Sequence, residues 1–353
     1  MIFYADNFPG RTITKDSKIY TYFGGTAYLG LQTDKTFQEL FIKNVKKYGT
    51  AYSASRKSNV RFSVYEKAEA FLAQLVGSEA CITISSGYLA GQLVSAYFNR
   101  PKYKTFYAPS THPALHQKNT KNFSSFEALQ AAVAAHIKNK PSVTPVLYFD
   151  VIDFNGNNYP GFDWIKSLPA ERMILVADDS HGFGITGSHG EGSYRTLQAF
   201  DSKALVVCGS LGKGFGIQAG GIFGSSSFIS ELMETHMFAA SSPPPPYTLA
   251  TFLQAQAVYT EKRKTLLNHI EFFKEKINYP HRFRYMENYP TFTYSEEALS
   301  GHLLKNNIVV TNFKYPDEDA DTPSRIVLSA HHTGTDILDL VTAINCYPTK
   351  PLH

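Results

Sequence analysis

A lysine with glycine on both sides stands in Ser210-Leu-Gly-Lys213-Gly-Phe-Gly, directly after the apolar run 204–208. Glycine neighbours remove crowding around the amine, and a lysine drawn out of water loses its proton readily, as a Schiff-base nucleophile requires. A glycine-rich loop carrying a surface lysine fits the same residues equally well. A second group, Val176-Ala-Asp178-Asp179-Ser180-His181-Gly182, ends an apolar run in a carboxylate with a histidine three residues on. In α/β sheets ligand groups cluster there, because the crevice lies beyond the strand carboxyl ends. Alternatively, Asp179 or Ser180 caps a helix and His181 is a satisfied loop histidine. A third, Ile84-Ser85-Ser86-Gly87-Tyr88, runs from strand through Ser-Ser-Gly into helix, where free backbone N–H groups and the helix dipole suit a phosphate.

Each signal is weak alone; their combination and order carry the information. A phosphate cradle, a strand-end carboxylate and a glycine-flanked lysine are the parts needed to hold pyridoxal 5′-phosphate as an electron sink attached to lysine. A metallohydrolase is the competing reading. His112 and His116 share a helix face at i and i+4, with Asp178, Asp179 and His181 as further ligands. Zincin chemistry needs glutamate after the first histidine, however, and Pro113 occupies that place. No metal is therefore expected.

The elements that must position these groups follow from the apolar pattern. Helices are predicted over 65–76, closed by Gly77, and over 88–98, with strands over 80–84, 105–108, 145–151, 173–177 and 204–208. Near-continuous apolar strands separated by helices imply a mostly parallel sheet covered on both faces, hence an α/β domain. The tetraproline 243–246 cannot lie inside a helix, although its last member can open one. Leu249, Phe252, Tyr259, Leu266, Ile270, Phe273 and Ile277 then predict one long amphipathic helix over 247–278. Strands over 308–311 and 325–329 with helices over 295–306 and 335–345 suit a smaller α+β domain. The expected division is an N-terminal segment 1–47 joining the small domain, a large domain 48–243, and a C-terminal small domain 244–353 that includes the long helix.

Composition narrows the class. At 353 residues the chain has ample core, and only 18% of residues are charged against 43% hydrophobic, which points to an oligomer. The net charge of +4 is scattered in small groups rather than a stripe, so nucleic acid is not an expected partner. Three widely separated cysteines, Cys81, Cys208 and Cys346, suit reduced thiols. The start MIFYADNFPG lacks a basic region followed by an apolar core, and no apolar run approaches the roughly 18 residues that span a bilayer. A cytoplasmic protein without a membrane partner is expected.

With these motifs in view, the chain resembles the fold-type I pyridoxal-phosphate enzymes, and more narrowly the α-oxoamine synthases, over about residues 28–344. The resemblance implies a fold with a large, mostly parallel sheet between helices plus a smaller α+β domain. It makes Lys213 the Schiff-base lysine and Ser210 a contact to the cofactor phosphate. Asp178 falls on the pyridine nitrogen, His181 on the phenolic oxygen, and Ser86-Gly87-Tyr88 on the phosphate. His112, in His112-Pro-Ala-Leu115, corresponds to the histidine that stacks on the cofactor ring. Ser242, before the prolines, corresponds to a residue reaching the neighbouring subunit's phosphate, so a homodimer with shared active sites is implied. Arg325, in Arg325-Ile-Val-Leu-Ser-Ala330, corresponds to the arginine that grips the amino-acid carboxylate.

The implied activity condenses a small amino acid with an acyl-CoA, with decarboxylation; an aminotransferase or carbon–carbon lyase uses the same cofactor parts. Three departures bear on substrate. The family's Ser-Met-Asp-Gly reads Asp153-Phe-Asn-Gly156, an asparagine that helps hold the amino acid becomes Thr26, and a Gly/Ser-rich segment becomes Ala54-Ser-Arg-Lys-Ser-Asn-Val60.

Overall fold

The computed structural model describes residues 2–313 and 324–348. Its strands among these are β1 (Thr12–Lys15), β2 (Lys18–Phe23), β3 (Ala80–Ile84), β4 (Tyr103–Tyr107), β5 (Thr144–Asp150), β6 (Ile174–Asp178), β7 (Ala204–Ser210), β8 (Gly220–Gly224), β9 (Arg284–Tyr285), β10 (Thr291–Tyr294), β11 (Ile308–Val310) and β12 (Ser324–Val327). The chain divides into two compact units, one of residues 39–153 and 157–256, the other of 1–38, 154–156 and 257–353.

The larger unit is built on a six-stranded sheet of order β3-β8-β7-β6-β5-β4. β4 to β7 are mutually parallel, and β8 runs antiparallel to both β7 and β3. β8, Gly-Gly-Ile-Phe-Gly, is too glycine-rich to announce itself as a strand. Val146, Leu147, Tyr148 and Phe149 of β5 are all inaccessible to solvent, as expected when helices cover both faces. One face packs Ile82, Val146, Val176, Val206 and Ile222 against Ala90, Leu93 and Val94 of the helix Gly87–Phe98.

The helix Val64–Val76 stops at Gly77, whose φ of +91° turns the chain back so that Ser78 N–H reaches the Ala73 carbonyl at 3.1 Å. The single helix expected over 247–278 is instead two, Pro246–Gln254 and Gln256–Lys276. Pro246 opens the first, and the break has a local cause. The Phe252 carbonyl accepts from the Gln256 side-chain Nε2 at 2.7 Å and from Ala255 N at 3.3 Å, so it is not left to continue the ladder. Leu249 and Phe252 of the first helix and Tyr259, Leu266, Ile270 and Phe273 of the second are each buried.

The smaller unit carries two three-stranded sheets, β1-β2-β11 and β12-β10-β9. The helix Gly334–Asn345 is opened by a reciprocal cap between Thr333 and Asp336. No helix among the described residues is long and apolar enough to cross a membrane.

Candidate active site

Parallel strands in register bring carboxyl ends side by side. Asp150, the last residue of β5, pairs with Asp178, the last of β6, and Asp178 in turn with Cys208 of β7. Asp178 is buried, and its Oδ1 accepts from Ser180 N at 2.8 Å. Beyond the strand the chain turns sharply, and His181 Nε2 lies 2.7 Å from Lys213 Nζ. Two of the three sequence signals are thus joined by one hydrogen bond.

Glycines allow that approach. A Cβ at Gly214 would stand 2.0 Å from the Phe183 carbonyl oxygen, and one at Gly184, where φ is +83°, 2.7 Å from the carbonyl carbon of Gly214. The loop after β6 and the loop bearing Lys213 therefore touch backbone to backbone. Ser180 ties them further, its Oγ accepting from Ser210 N at 2.8 Å, while Ser210 Oγ accepts from Gly212 N at 3.1 Å.

The third signal joins in the same way. Ser86 caps the helix Gly87–Phe98, its Oγ accepting from Leu89 N at 3.2 Å. A Cβ on Gly87 would meet Ser210 N at 2.5 Å and Ser210 Cα at 2.6 Å, and one on Gly220 would lie 2.2 Å from the Ser86 carbonyl. The helix N-terminus is therefore pressed against Ser210, three residues before Lys213. The cradle offers the free backbone N–H groups of a helix start and lies at the positive end of a helix dipole, which fits a phosphate group. Tyr88 is 59% exposed.

His112 donates its backbone N–H to Asp150 Oδ1 at 3.1 Å, and its ring Nδ1 accepts from Ala114 N at 3.1 Å. Burial lowers the His112 pKa, opposed by the Asp178 charge and assisted by Lys213. With Nδ1 accepting from a backbone N–H, the ring hydrogen lies on Nε2. Burial, reinforced by the Asp178 charge, pushes the Asp150 carboxyl well above the usual range. Asp179 is fully buried and raised by the same burial; its Oδ2 accepts from Ser193 N at 2.7 Å, anchoring the turn rather than facing a ligand.

Sequence reasoning missed Asp150 and considered Ser180 only as a helix cap, whereas it accepts from Ser210 N. Asp150 ends its strand as Asp178 does, so the argument used for one would have found the other. Asp153 accepts from Asn157 N at 3.2 Å and Asn157 Nδ2 at 2.8 Å, and so closes its own loop. Ser242 is exposed, in the extended run before Pro246. His116 Nε2 pairs with Asn122 Oδ1 at 2.8 Å, and among the described residues no group of three or more His, Cys, Asp or Glu is arranged to hold a metal ion.

Arg325 belongs to the smaller unit, in β12, where its backbone exchanges both hydrogen bonds with Thr311, at 3.0 and 3.1 Å. Its guanidinium carbon lies over the Phe154 ring, 4.4 Å from the centroid.

A mainly parallel sheet with these groups at its carboxyl edge has the fold of the fold-type I transferases. Serine palmitoyltransferase of Sphingomonas wittichii superposes with a TM-score of 0.80 at 14% identity, over 97% of this chain and 90% of that one. The 8-amino-7-oxononanoate synthase of Francisella tularensis superposes with a TM-score of 0.69 at 18% identity, over 92% and 97%. The chain belongs to the aminotransferase class I and II family, whose model matches residues 156–344. Curated relatives include the 8-amino-7-oxononanoate synthases of Dechloromonas aromatica, 25% identical over 95% of this chain and 92% of the relative, and of Hahella chejuensis, 24% identical over 94% and 88%.

Proposed function

We propose that this protein is a pyridoxal-phosphate-dependent acyltransferase of the α-oxoamine synthase type. It condenses a small amino acid with an acyl-CoA and releases carbon dioxide and free CoA. The observation that carries the reading is the 2.7 Å contact of Lys213 with His181, made beside Asp178 and the Ser86–Ser210 cradle. When bound, pyridoxal phosphate supplies an electron sink for the carbanion formed at the amino-acid Cα.

The residues divide the remaining work. Lys213 carries the cofactor and moves the proton at the amino-acid Cα, its amine oriented by His181. Asp178, buried at a strand end, holds a proton on the pyridine nitrogen by its negative charge. Ser86, Gly87 and Ser210, with Tyr88 at the same helix start, hold the phosphate, and the His112 ring packs on the cofactor. Arg325 takes the amino-acid carboxylate through two parallel hydrogen bonds. Ser242 serves the phosphate of the neighbouring subunit in a homodimer; sedimentation as a monomer at micromolar concentration would remove that part of the reading.

Relatives named 8-amino-7-oxononanoate synthase that match nearly the whole chain support this reading over an aminotransferase or lyase. The test is a screen of small amino acids against acyl-CoA chain lengths, following free CoA thiol and carbon dioxide. CoA release that requires both substrates is expected. Amino transfer to a keto acid, with no CoA release from any pair, refutes the acyltransferase. Borohydride reduction and peptide mapping should recover the pyridoxyl group on Lys213.

A further inference from the structure

Phe154 has a backbone that its side chain does not favour. Its φ is +58°, in the left-handed region where a bulky residue is uncommon, and such outliers persist where the surroundings hold them for a purpose. The purpose is visible in the smaller unit, to which residues 154–156 belong. The Arg325 guanidinium lies over the Phe154 ring at 4.4 Å. Thr293, directly opposite Arg325 in the β10–β12 register, has its Oγ1 3.5 Å from the Phe154 carbonyl and 3.1 Å from the carbonyl of Arg284. Ring and guanidinium are therefore referred to the same two strands.

The guanidinium has no carboxylate within ion-pair distance among the described residues. The groups that feel its charge are the phenols of Tyr22 and Tyr28, whose pKa values it lowers against a larger rise from burial. A guanidinium covered on its face by an aromatic ring keeps its N–H edge for a partner, and that edge matches a carboxylate bidentately. The long arginine side chain is otherwise costly to immobilise, and the ring meets that cost before the ligand arrives.

We propose that Phe154 is a positioning residue that pre-orients Arg325 and so favours amines bearing a carboxylate over amines lacking one. The proposal rests on the reading of Arg325 as the carboxylate anchor.

The test titrates holoenzyme with glycine and, separately, with methylamine, reading the change in the cofactor's visible absorption. Phe154→Leu is expected to raise the half-saturating glycine concentration about two- to tenfold, the equivalent of one long side chain's ordering, and to leave the methylamine curve in place. Phe154→Tyr, which keeps the ring, should stay within about twofold of the parent on both. Should Phe154→Leu not fold, Phe154→Met is read by the same criteria. Unchanged glycine binding in the ring-less variant, or an equal shift for glycine and methylamine, overturns the proposal. Arg325→Gln separates the two failures. If it shifts glycine and Phe154→Leu does not, only the role of Phe154 falls; if it too leaves glycine unchanged, the anchor reading itself is wrong.

Discussion

Gly87→Ala adds one methyl group where the helix start meets Ser210. The new Cβ would lie 2.5 Å from Ser210 N, 2.6 Å from its Cα and 2.7 Å from its Cβ. Ordinary carbon contacts begin near 3.5 Å, so the helix N-terminus and the Ser210 segment must part by roughly 1 Å. Both partners are backbone, which no rotamer change relieves. Overpacking of this kind costs about 1–3 kcal/mol, and a unit of about 200 residues loses roughly 2–4 °C of Tm per kcal/mol. The same displacement opens the cradle, and an error of about 1 Å in a positioned group can cost about a hundredfold. The assay pairs thermal melting of the cofactor-free protein with a cofactor titration followed by absorbance. Expected are a Tm lowered by several degrees and a pyridoxal-phosphate Kd raised at least about tenfold. Gly301→Ala is the control, since a Cβ there meets nothing within 4 Å in the helix Glu297–Lys305. It should be neutral or stabilise by about 0.5–1 kcal/mol. A Gly87→Ala protein with parental Tm and parental cofactor affinity would refute the cradle.

Asp178→Asn should keep the cofactor trapped on Lys213 by borohydride while turnover falls about a hundredfold, because loss of two pKa units of bias on the pyridine is worth about 2.7 kcal/mol; turnover within twofold of the parent at equal cofactor content counts against the role of Asp178. Glu69→Ala should destabilise by about 3–5 kcal/mol, since it strands a largely covered Arg56 side chain whose ion pair measures 2.8 Å and deprives buried Thr83 of an acceptor for both N–H and hydroxyl. The double change Arg56→Met with Glu69→Leu should recover in denaturant melts only the part due to the stranded charge, because buried Thr83 still lacks its acceptor; a Glu69→Ala variant as stable as the parent would sink the argument. In the smaller unit, burial depresses His331 to about 4 and His332 to about 3 from an ordinary 6.5. The unfolded chain takes up these protons first, so the stability they confer is complete above pH 6.5 and drains as pH falls toward 4, by about 1.4 kcal/mol per pH unit per histidine. Melting curves from pH 7 to 4.5 should show that slope, reduced in His332→Gln; the same slope in the variant would assign it elsewhere.

How much of this was legible depends on whether the deciding forces are local. The strands 80–84 and 204–208 and the close of the helix at Gly77 could be read directly, because apolar runs and a glycine's left-handed φ act within a few residues. Lys213, Asp178, His181 and Ser86 could be nominated as well, since each stands at the end of a readable strand. Their convergence could not. It depends on the parallel register of β5, β6 and β7 and on backbone contacts at Gly87, Gly214 and Gly220, which join segments far apart in the chain. The glycine-rich β8 escaped notice because its place is set by pairing with β3 and β7 rather than by its own propensity. The break at Ala255 turns on a single side-chain amide that competes for one carbonyl. Phe154 looks like an ordinary loop aromatic until β12 places Arg325 beneath its ring, because a cation–π contact needs three-dimensional proximity that no spacing along the chain encodes.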